Sequence, residues 1–356
     1  MMLKPIRVTD IRDGGAERYA IEAADRARAL RDDCLAIVPR LMTPLIPLFD
    51  ALARRWLMRS QSPYLPEITK IAAALGFPGI WLLNGSYQWG CTALAREEDG
   101  KPWLARSLDW PFRGLGRHVE VVRKKGPAGE FFSVTWPGYV GALTAMAPGR
   151  FGASINQAPL WRRTNHPWLR LYDIAANALN TWRLRHMPPD QLLRLVFETC
   201  GDFAKARRKL ETTPIARPVI YVLVGTKPGE RCVIERTEES FWTRTEATAA
   251  ANDWHETREQ WEARVGGMNV LLLTREEAAQ RSRARQATLS EFSGTFADHS
   301  FSWIVPPVLN PCTRIGVEMC PATGDLRVVG YDVVPGHELP QQVTQVCNIQ
   351  GERAVA

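Results

Sequence analysis

The chain has 356 residues, and 45 Lys and Arg against 38 Asp and Glu leave a formal charge of +7. With 45% hydrophobic and 23% charged residues the composition is globular, which excludes a disordered, collagenous or low-complexity chain. The basic residues form no stripe of the kind a phosphate footprint needs, the densest run being Arg123-Lys124-Lys125, so nucleic acid is not an expected partner. The length fits one large domain or two small ones.

In chain order, the pattern predicts a helix over 16–36 that ends in the Pro39, Pro44 and Pro47 stretch. A short apolar helix is expected over 48–57. Pro66 and Glu67 in a first turn, apolar residues at 68, 71, 72 and 75, and Gly76 as a stop predict the next helix. Another runs from Ile80 to about Tyr87. At Cys91 the texture becomes extended: strands over 92–96 and 103–109 flank Asp99-Gly100, which supplies the positive φ angles of a tight hairpin. Strands over 119–123, 130–135 and 150–156 continue as an antiparallel meander. Helices over 168–182 and 189–210, the second interrupted near Gly201, precede strands over 219–225, 232–236 and 240–247. A charged helix over 274–292 and a hairpin of 313–320 with 326–331 complete the reading. This order lacks regular βαβ alternation, so the expected fold class is α+β, a four-layer αββα sandwich with antiparallel sheets inside.

Several functions are excluded by their motifs. The longest apolar stretch, 41–49, is far shorter than the roughly 20 residues of a membrane span and is broken by two prolines. The first residues form no secretory h-region, which makes a cytoplasmic location the expectation. Seven cysteines, at 34, 91, 200, 232, 312, 320 and 347, contain no CxxC pair and indicate neither a disulfide framework nor a zinc site. There is no phosphate loop, no dinucleotide fingerprint and no HExxH, so no cofactor or metal is expected. Gly152 to Asn156 is a near miss to a GxSxG elbow, but it ends in Asn and lies in an expected strand, which argues against Ser154 as a nucleophile.

The informative stretch runs from Gly90 to Trp110. The hairpin returns Arg106 and Asp109 towards Cys91, and a cation beside a thiol favours the thiolate nucleophile. Being three residues apart, Arg106 and Asp109 alternate onto opposite faces of a regular strand. A bend or bulge that lets both reach Cys91 is therefore expected.

These residues resemble the cholylglycine hydrolase superfamily of N-terminal-nucleophile cysteine amidases, especially its acid ceramidase and N-acylethanolamine acid amidase branch. The family pattern is Cys-Thr, a hairpin, and Arg-Asn-(Leu/Met)-Asp-(Trp/Tyr), matched by Cys91-Thr92 and Arg106-Ser107-Leu108-Asp109-Trp110 except at Ser107. Segments 137–144, 148–156, 218–225 and 232–236 are similar to further family strands, and 65–76 with Leu82-Leu83-Asn84 to the end of its α-subunit. Asn252-Asp253-Trp254 falls where the family has its oxyanion-hole asparagine. Ser282 with Arg285 fits a Ser-x-x-Arg pattern, Arg281 and Arg283 leaving its register open. The likeness covers about residues 64–290.

The resemblance implies self-cleavage between Gly90 and Cys91 into a helical segment 1–90, which stays associated, and a core 91–356. Cys91 would then carry a free α-amine, whose ordinary pKa of about 7.7–8.0 lets it act as base without a histidine. It further implies Asn252 and the segment at Asn156 as oxyanion donors, Asp109 as orienter of the amine, and Arg106 as the group holding the thiolate. The family's glutamate after the strand asparagine is Gln157 here. The expected substrate is an N-acylated small molecule with a fatty-acyl chain. Residues 41–59, apolar with Arg54, Arg55 and Arg59, suit a flap over an acyl tail, contact with an anionic membrane surface, or core packing. An isopenicillin-type acyltransferase and a non-catalytic lipid-binding protein are the alternatives, and the oligomeric state is open.

Overall fold

A computed structural model describes residues 2–86, 90–164, 166–256, 258–264, 274–298 and 300–350. Among them helices α1 (Gly15–Glu22), α2 (Ala24–Leu35), α3 (Ile46–Leu57), α4 (Leu65–Leu75) and α5 (Ile80–Gly85) come first, then α6 (Arg170–Arg183), α7 (Pro189–Thr199), α8 (Phe203–Thr212) and α9 (Arg275–Ser290). The single helix expected over 16–36 is two. Its backbone leaves helical geometry at Ala23, which is buried with Ile11, Tyr19 and Val122 where the chain turns over the edge of a sheet. The break expected near Gly201 separates α7 from α8, and Asp202 caps α8 by accepting from the Lys205 N–H. The expected extension of α5 to Tyr87 lies outside the described residues.

Two large sheets carry the core. One runs β1 (Arg7–Asp10), β4 (Glu120–Gly126), β5 (Gly129–Thr135), β6 (Thr144–Ala147), β7 (Phe151–Gln157), β9 (Val219–Val224), β10 (Arg231–Arg236), β11 (Phe241–Arg244). The other runs β12 (Ala249–Ala250), β2 (Gly90–Glu98), β3 (Lys101–Asp109), β14 (Thr313–Cys320), β15 (Asp325–Asp332), β16 (Gln341–Gln342), with β17 (Cys347–Ile349) also on β15. The short β8 (Leu160–Trp161) and β13 (Trp261–Glu262) pair with each other. Among the described residues, all pairings between neighbouring strands are antiparallel except β1 with β4.

The sheets pack face to face through β2 and β3 against β7 and β9. Helix α9 lies outside the first of these pairs, and α7 and α8 lie outside the other sheet, which gives the αββα order expected. Strand β9, Val-Ile-Tyr-Val-Leu-Val, is apolar at every position because α8 covers one face and the partner sheet the other. Strand β2 is buried from Gly90 to Ala95, where the small residues Gly90, Cys91, Thr92, Ala93 and Ala95 let α9 and the opposite sheet approach closely. The β2–β3 turn is the tight one expected, with Asp99 at φ 49° and Gly100 at φ 71° and Glu98 opposite Lys101.

Residues 4–84 are tied into this core at both ends. Strand β1 adds to the edge of the eight-stranded sheet through β4. Ahead of it, the Lys4 N–H donates to the Val343 carbonyl at 3.1 Å and the Lys4 carbonyl accepts from Gln345 N at 2.8 Å. Near the other end of the segment, the Asn84 amide donates to the Gly138 carbonyl and accepts from Val140 N.

Candidate active site

The register of the β2–β3 hairpin fixes which side chains meet. Cys91 stands opposite Leu108 and Ala93 opposite Arg106, so Cys91 and Arg106 share the face turned to the other sheet. Gly90 stands opposite Asp109, on the face turned to α9. No bulge interrupts this pairing, and Asp109 does not reach the thiol, contrary to expectation. The irregularity lies one strand over, in β14 between Thr313 and Ile315. One extra residue there sets Thr313 rather than Arg314 opposite Asp109, and so turns the Thr313 hydroxyl onto the carboxylate.

On the inner face, the Arg106 Nη2 donates to Cys91 Sγ at 2.9 Å and to the Ile155 carbonyl at 2.8 Å, while Nη1 donates to Thr144 Oγ1 at 2.6 Å. The guanidinium is fully buried. The sequence predicts that this cation favours the thiolate, but in the uncut chain burial wins. The Cys91 thiol is pushed up to about 11 by desolvation, with Arg106 opposing, the Asp109 charge adding to the rise and Arg285 opposing again.

On the outer face, three donors converge on Asp109. Its Oδ2 accepts from Arg285 Nη1 at 3.0 Å and from Asn310 Nδ2 at 2.8 Å, and its Oδ1 lies 3.0 Å from Thr313 Oγ1, whose one proton it shares with the Val308 carbonyl at 3.1 Å. Helix α9 resolves the register left open in its sequence: Ser282, Arg285 and Leu289 are buried while Arg281 and Arg283 are exposed. The other arm of Arg285, Nη2, donates to Asn252 Oδ1 at 2.9 Å. That same oxygen accepts the Cys91 backbone N–H at 2.8 Å. Two donors on one side fix the orientation of the Asn252 amide, whose Nδ2 donates to the Gln157 carbonyl at 2.8 Å. The Asn252 N–H in turn donates to Ser282 Oγ, tying the loop to α9.

Asn252 thus presents an oxygen, not a nitrogen, to Cys91. Asn156 is likewise committed, its Nδ2 donating to the carbonyls of Ala250 and Ala251, which binds β7 to the strand leading into Asn252. Asn156 Nδ2 is thus engaged by two carbonyls, whereas Asn252 Nδ2 donates to one, which leaves one of its two N–H groups uncommitted. All six residues singled out in the sequence converge here, four of them in the chain Asp109, Arg285, Asn252, Cys91. Asn310 and Thr313 went unnoticed, since an Asn-x-x-Thr spacing before a strand reads as an ordinary turn. No group of three His, Cys, Asp or Glu side chains suited to a metal occurs among the described residues.

Comparison with known proteins gives the class first: among the chain's curated relatives are enzymes named for amide hydrolysis. They are N-acylethanolamine-hydrolyzing acid amidases and acid ceramidases, in agreement with the resemblance read from the motifs. The rabbit (Oryctolagus cuniculus) acid amidase is 30% identical over 163 residues, 44% of this chain and 42% of the relative. The guinea-pig (Cavia porcellus) protein is 28% identical over 212 residues, 56% and 57% of the two chains. A probable acid ceramidase of Caenorhabditis elegans is 28% identical over 214 residues, 54% and 52%. The chain spans about half the length of the curated relatives it matches. Among solved structures, a Caenorhabditis elegans ortholog of the acid amidase aligns over 65% of this chain and 93% of its own at 19% identity, with a TM-score of 0.45. A mutant of the conjugated bile acid hydrolase of Clostridium perfringens aligns over 73% and 96% at 10% identity, with a TM-score of 0.36. No family model matches the chain.

Proposed function

We propose that the chain is a self-processing N-terminal-cysteine amidase that hydrolyses the linear amide bond of N-acylated small molecules, fatty-acyl amides in particular, through a thioester. The observation that carries this reading is the double hold on Cys91: Arg106 at its sulfur and the Asn252 oxygen at its nitrogen. In self-cleavage, Cys91 Sγ attacks the Gly90 carbonyl carbon, the Gly90–Cys91 C–N bond breaks, and the thiol proton ends on the Cys91 nitrogen. Water then hydrolyses the Gly90 thioester. In turnover the freed α-amine takes the thiol proton, sulfur attacks the substrate carbonyl, and the proton passes to the leaving amine before water releases the acid. Arg106 supports the sulfur as it gains charge, and Asn252, held by Arg285, accepts from the amine. Oxyanion donation by Asn156 requires one of the two carbonyls it now serves to be released, whereas Asn252 has a second N–H beside the one that serves Gln157.

Intact mass of active protein is expected to give fragments 1–90 and 91–356 that co-elute on gel filtration, because β1, Lys4 and Asn84 tie the first fragment into the core. A Cys91→Ala chain should stay whole and inactive. A wild-type chain that turns over fully while uncut sinks the reading.

We also propose that residues 41–59 contact an anionic membrane surface, where such substrates reside. Supporting this, Leu41, Leu48 and Leu52 are exposed while Trp56 and Leu57 are buried, and Arg54 and Arg55 are exposed beside them. Helix α6 extends the apolar surface with exposed Leu171, Tyr172 and Leu179, joined to α3 through the Trp56 Nε1 bond to the Thr181 carbonyl at 3.1 Å. Leu48→Asp with Leu52→Asp should reduce co-sedimentation with phosphatidylserine-containing vesicles at least tenfold. Unchanged co-sedimentation refutes the contact.

A further inference from the structure

We infer that Asn84, near the end of α5, is a positioning residue for self-cleavage: its amide clamps the last helix before the cut onto the loop that leads into the inner face of the site, and so fixes the upstream end of the stretch that carries the Gly90–Cys91 bond. The inference rests on the reading that the chain cuts itself before Cys91.

Asn84 is buried, and both of its amide N–H groups are engaged. Nδ2 donates to the Ile80 carbonyl and to the Gly138 carbonyl, each at 2.9 Å, and Oδ1 accepts from Val140 N at 2.8 Å. Ile80 and Val140 belong to one apolar cluster with Leu75 and Trp81. Apolar contacts alone would let α5 slide over the loop, whereas three bonds to a planar amide hold one register. Gly138 makes the close approach possible. Its φ is 89°, and a Cβ there would lie 3.2 Å from Ile80 Cδ1.

The loop so clamped is bonded to the site as well. Its middle is held on the first turns of α7: Tyr139 Oη donates to Asp190 Oδ2 at 2.7 Å, Ala142 N donates to the Asp190 carbonyl at 3.0 Å, and the Val140 carbonyl accepts from Arg194 Nη1 at 3.1 Å. Next in the chain, the Leu143 carbonyl accepts from Ile155 N at 2.9 Å, and Thr144 Oγ1 accepts from Arg106. Ile155 also supplies the carbonyl that Arg106 Nη2 serves. Helix α5 and the arginine beside the nucleophile are therefore parts of one bonded unit. Gly90 lies six residues after Asn84, no more than about 20 Å of extended chain, and is itself set opposite Asp109 in the hairpin. The scissile carbonyl is thus approached from an anchor on either side, and Cys91 Sγ must meet its carbon. Loosening the upstream anchor widens the range of positions open to that carbonyl and slows the cut. Turnover is a separate matter, because Gly90 has then left Cys91, and Thr144 keeps its place beside Arg106 through the pairing of β6 with β7.

The test compares wild type with Asn84→Leu, which keeps the packing and removes the bonds, and with Gly138→Ala, which keeps Asn84 and pushes the loop off α5. Cutting is timed by intact mass on full-length chains newly made by cell-free translation. The molecules that have cut are then treated with iodoacetamide, and the rate of alkylation at Cys91 is read from the mass of its peptide. Both variants should cut about 10²-fold more slowly than wild type, while Cys91 of the cut molecules is alkylated at the wild-type rate. A folded variant that cuts as fast as wild type overturns the inference. So does a matched fall in cutting and alkylation, or a failure of both variants to fold, since the clamp would then support the whole fold rather than the cut. A wild-type chain that remains whole overturns both this inference and the reading beneath it.

Discussion

Arg106→Met is expected to cut turnover by about 10²–10³-fold, the usual loss for one electrostatic donor at a reacting centre, while the thermal midpoint stays unchanged or rises. The two effects part because of how Arg106 is paired. Its guanidinium is fully buried, yet its acceptors are a hydroxyl, a carbonyl and a thiol, and among the described residues no carboxylate hydrogen-bonds to it. A buried charge without a counterion costs folding energy. Methionine keeps much of the volume and removes that cost, a change that is neutral or stabilising in comparable buried sites. In the mechanism proposed above, the missing counterion is the Cys91 thiolate, formed only during turnover. Thermal unfolding alongside acyl-amide hydrolysis decides the matter: a large fall in the midpoint would mean that Arg106 is a structural residue and that the activity loss follows from misfolding.

How far the site could be read from the sequence follows from the range of each interaction. The hairpin was legible because Asp99-Gly100 sets its turn and two apolar strands set its register, and from the register alone Arg106 falls on the face of Cys91. Arg285 was legible only to within the choice among three arginines, since all three are compatible with a solvated helix and only burial against β2 selects one. The bulge was anticipated on the wrong strand. Alternation shows that Asp109 and Arg106 diverge, but not that a partner strand 204 residues later will bend to meet Asp109. The orientation of Asn252 was beyond reach for the same reason: it depends on two donors, Cys91 N and Arg285, that come together only when α9 covers β2. The strands that went unread, β1, β6, β8, β12, β13, β16 and β17, are two to four residues long, too short for a period of two to register. Of these, β12 matters most to the site, because it pairs with β2 and leads directly into Asn252.

The opposite pattern is expected on the outer face. Arg285→Leu should destabilise the protein by about 3–5 kcal/mol, the cost of stranding one half of a buried ion pair, and should leave the chain uncut. Asp109 would keep Asn310 and Thr313 as neutral donors but lose its cation, and the Asn252 amide would lose one of the two donors that fix its orientation. The double variant Asp109→Asn with Arg285→Leu removes both charges, and most of the lost stability should return. Cleavage should not return with it, because the Asn252 oxygen then keeps only the Cys91 N–H and lacks the arginine that steadies it there. Chemical denaturation supplies the stabilities and intact mass the extent of cutting. If the single variant is as stable as wild type, the pair carries no stability. If the stable double variant still cuts itself, the chain from Asp109 through Arg285 and Asn252 has no part in the chemistry, and the weight of the mechanism shifts to Arg106 and the inner face alone.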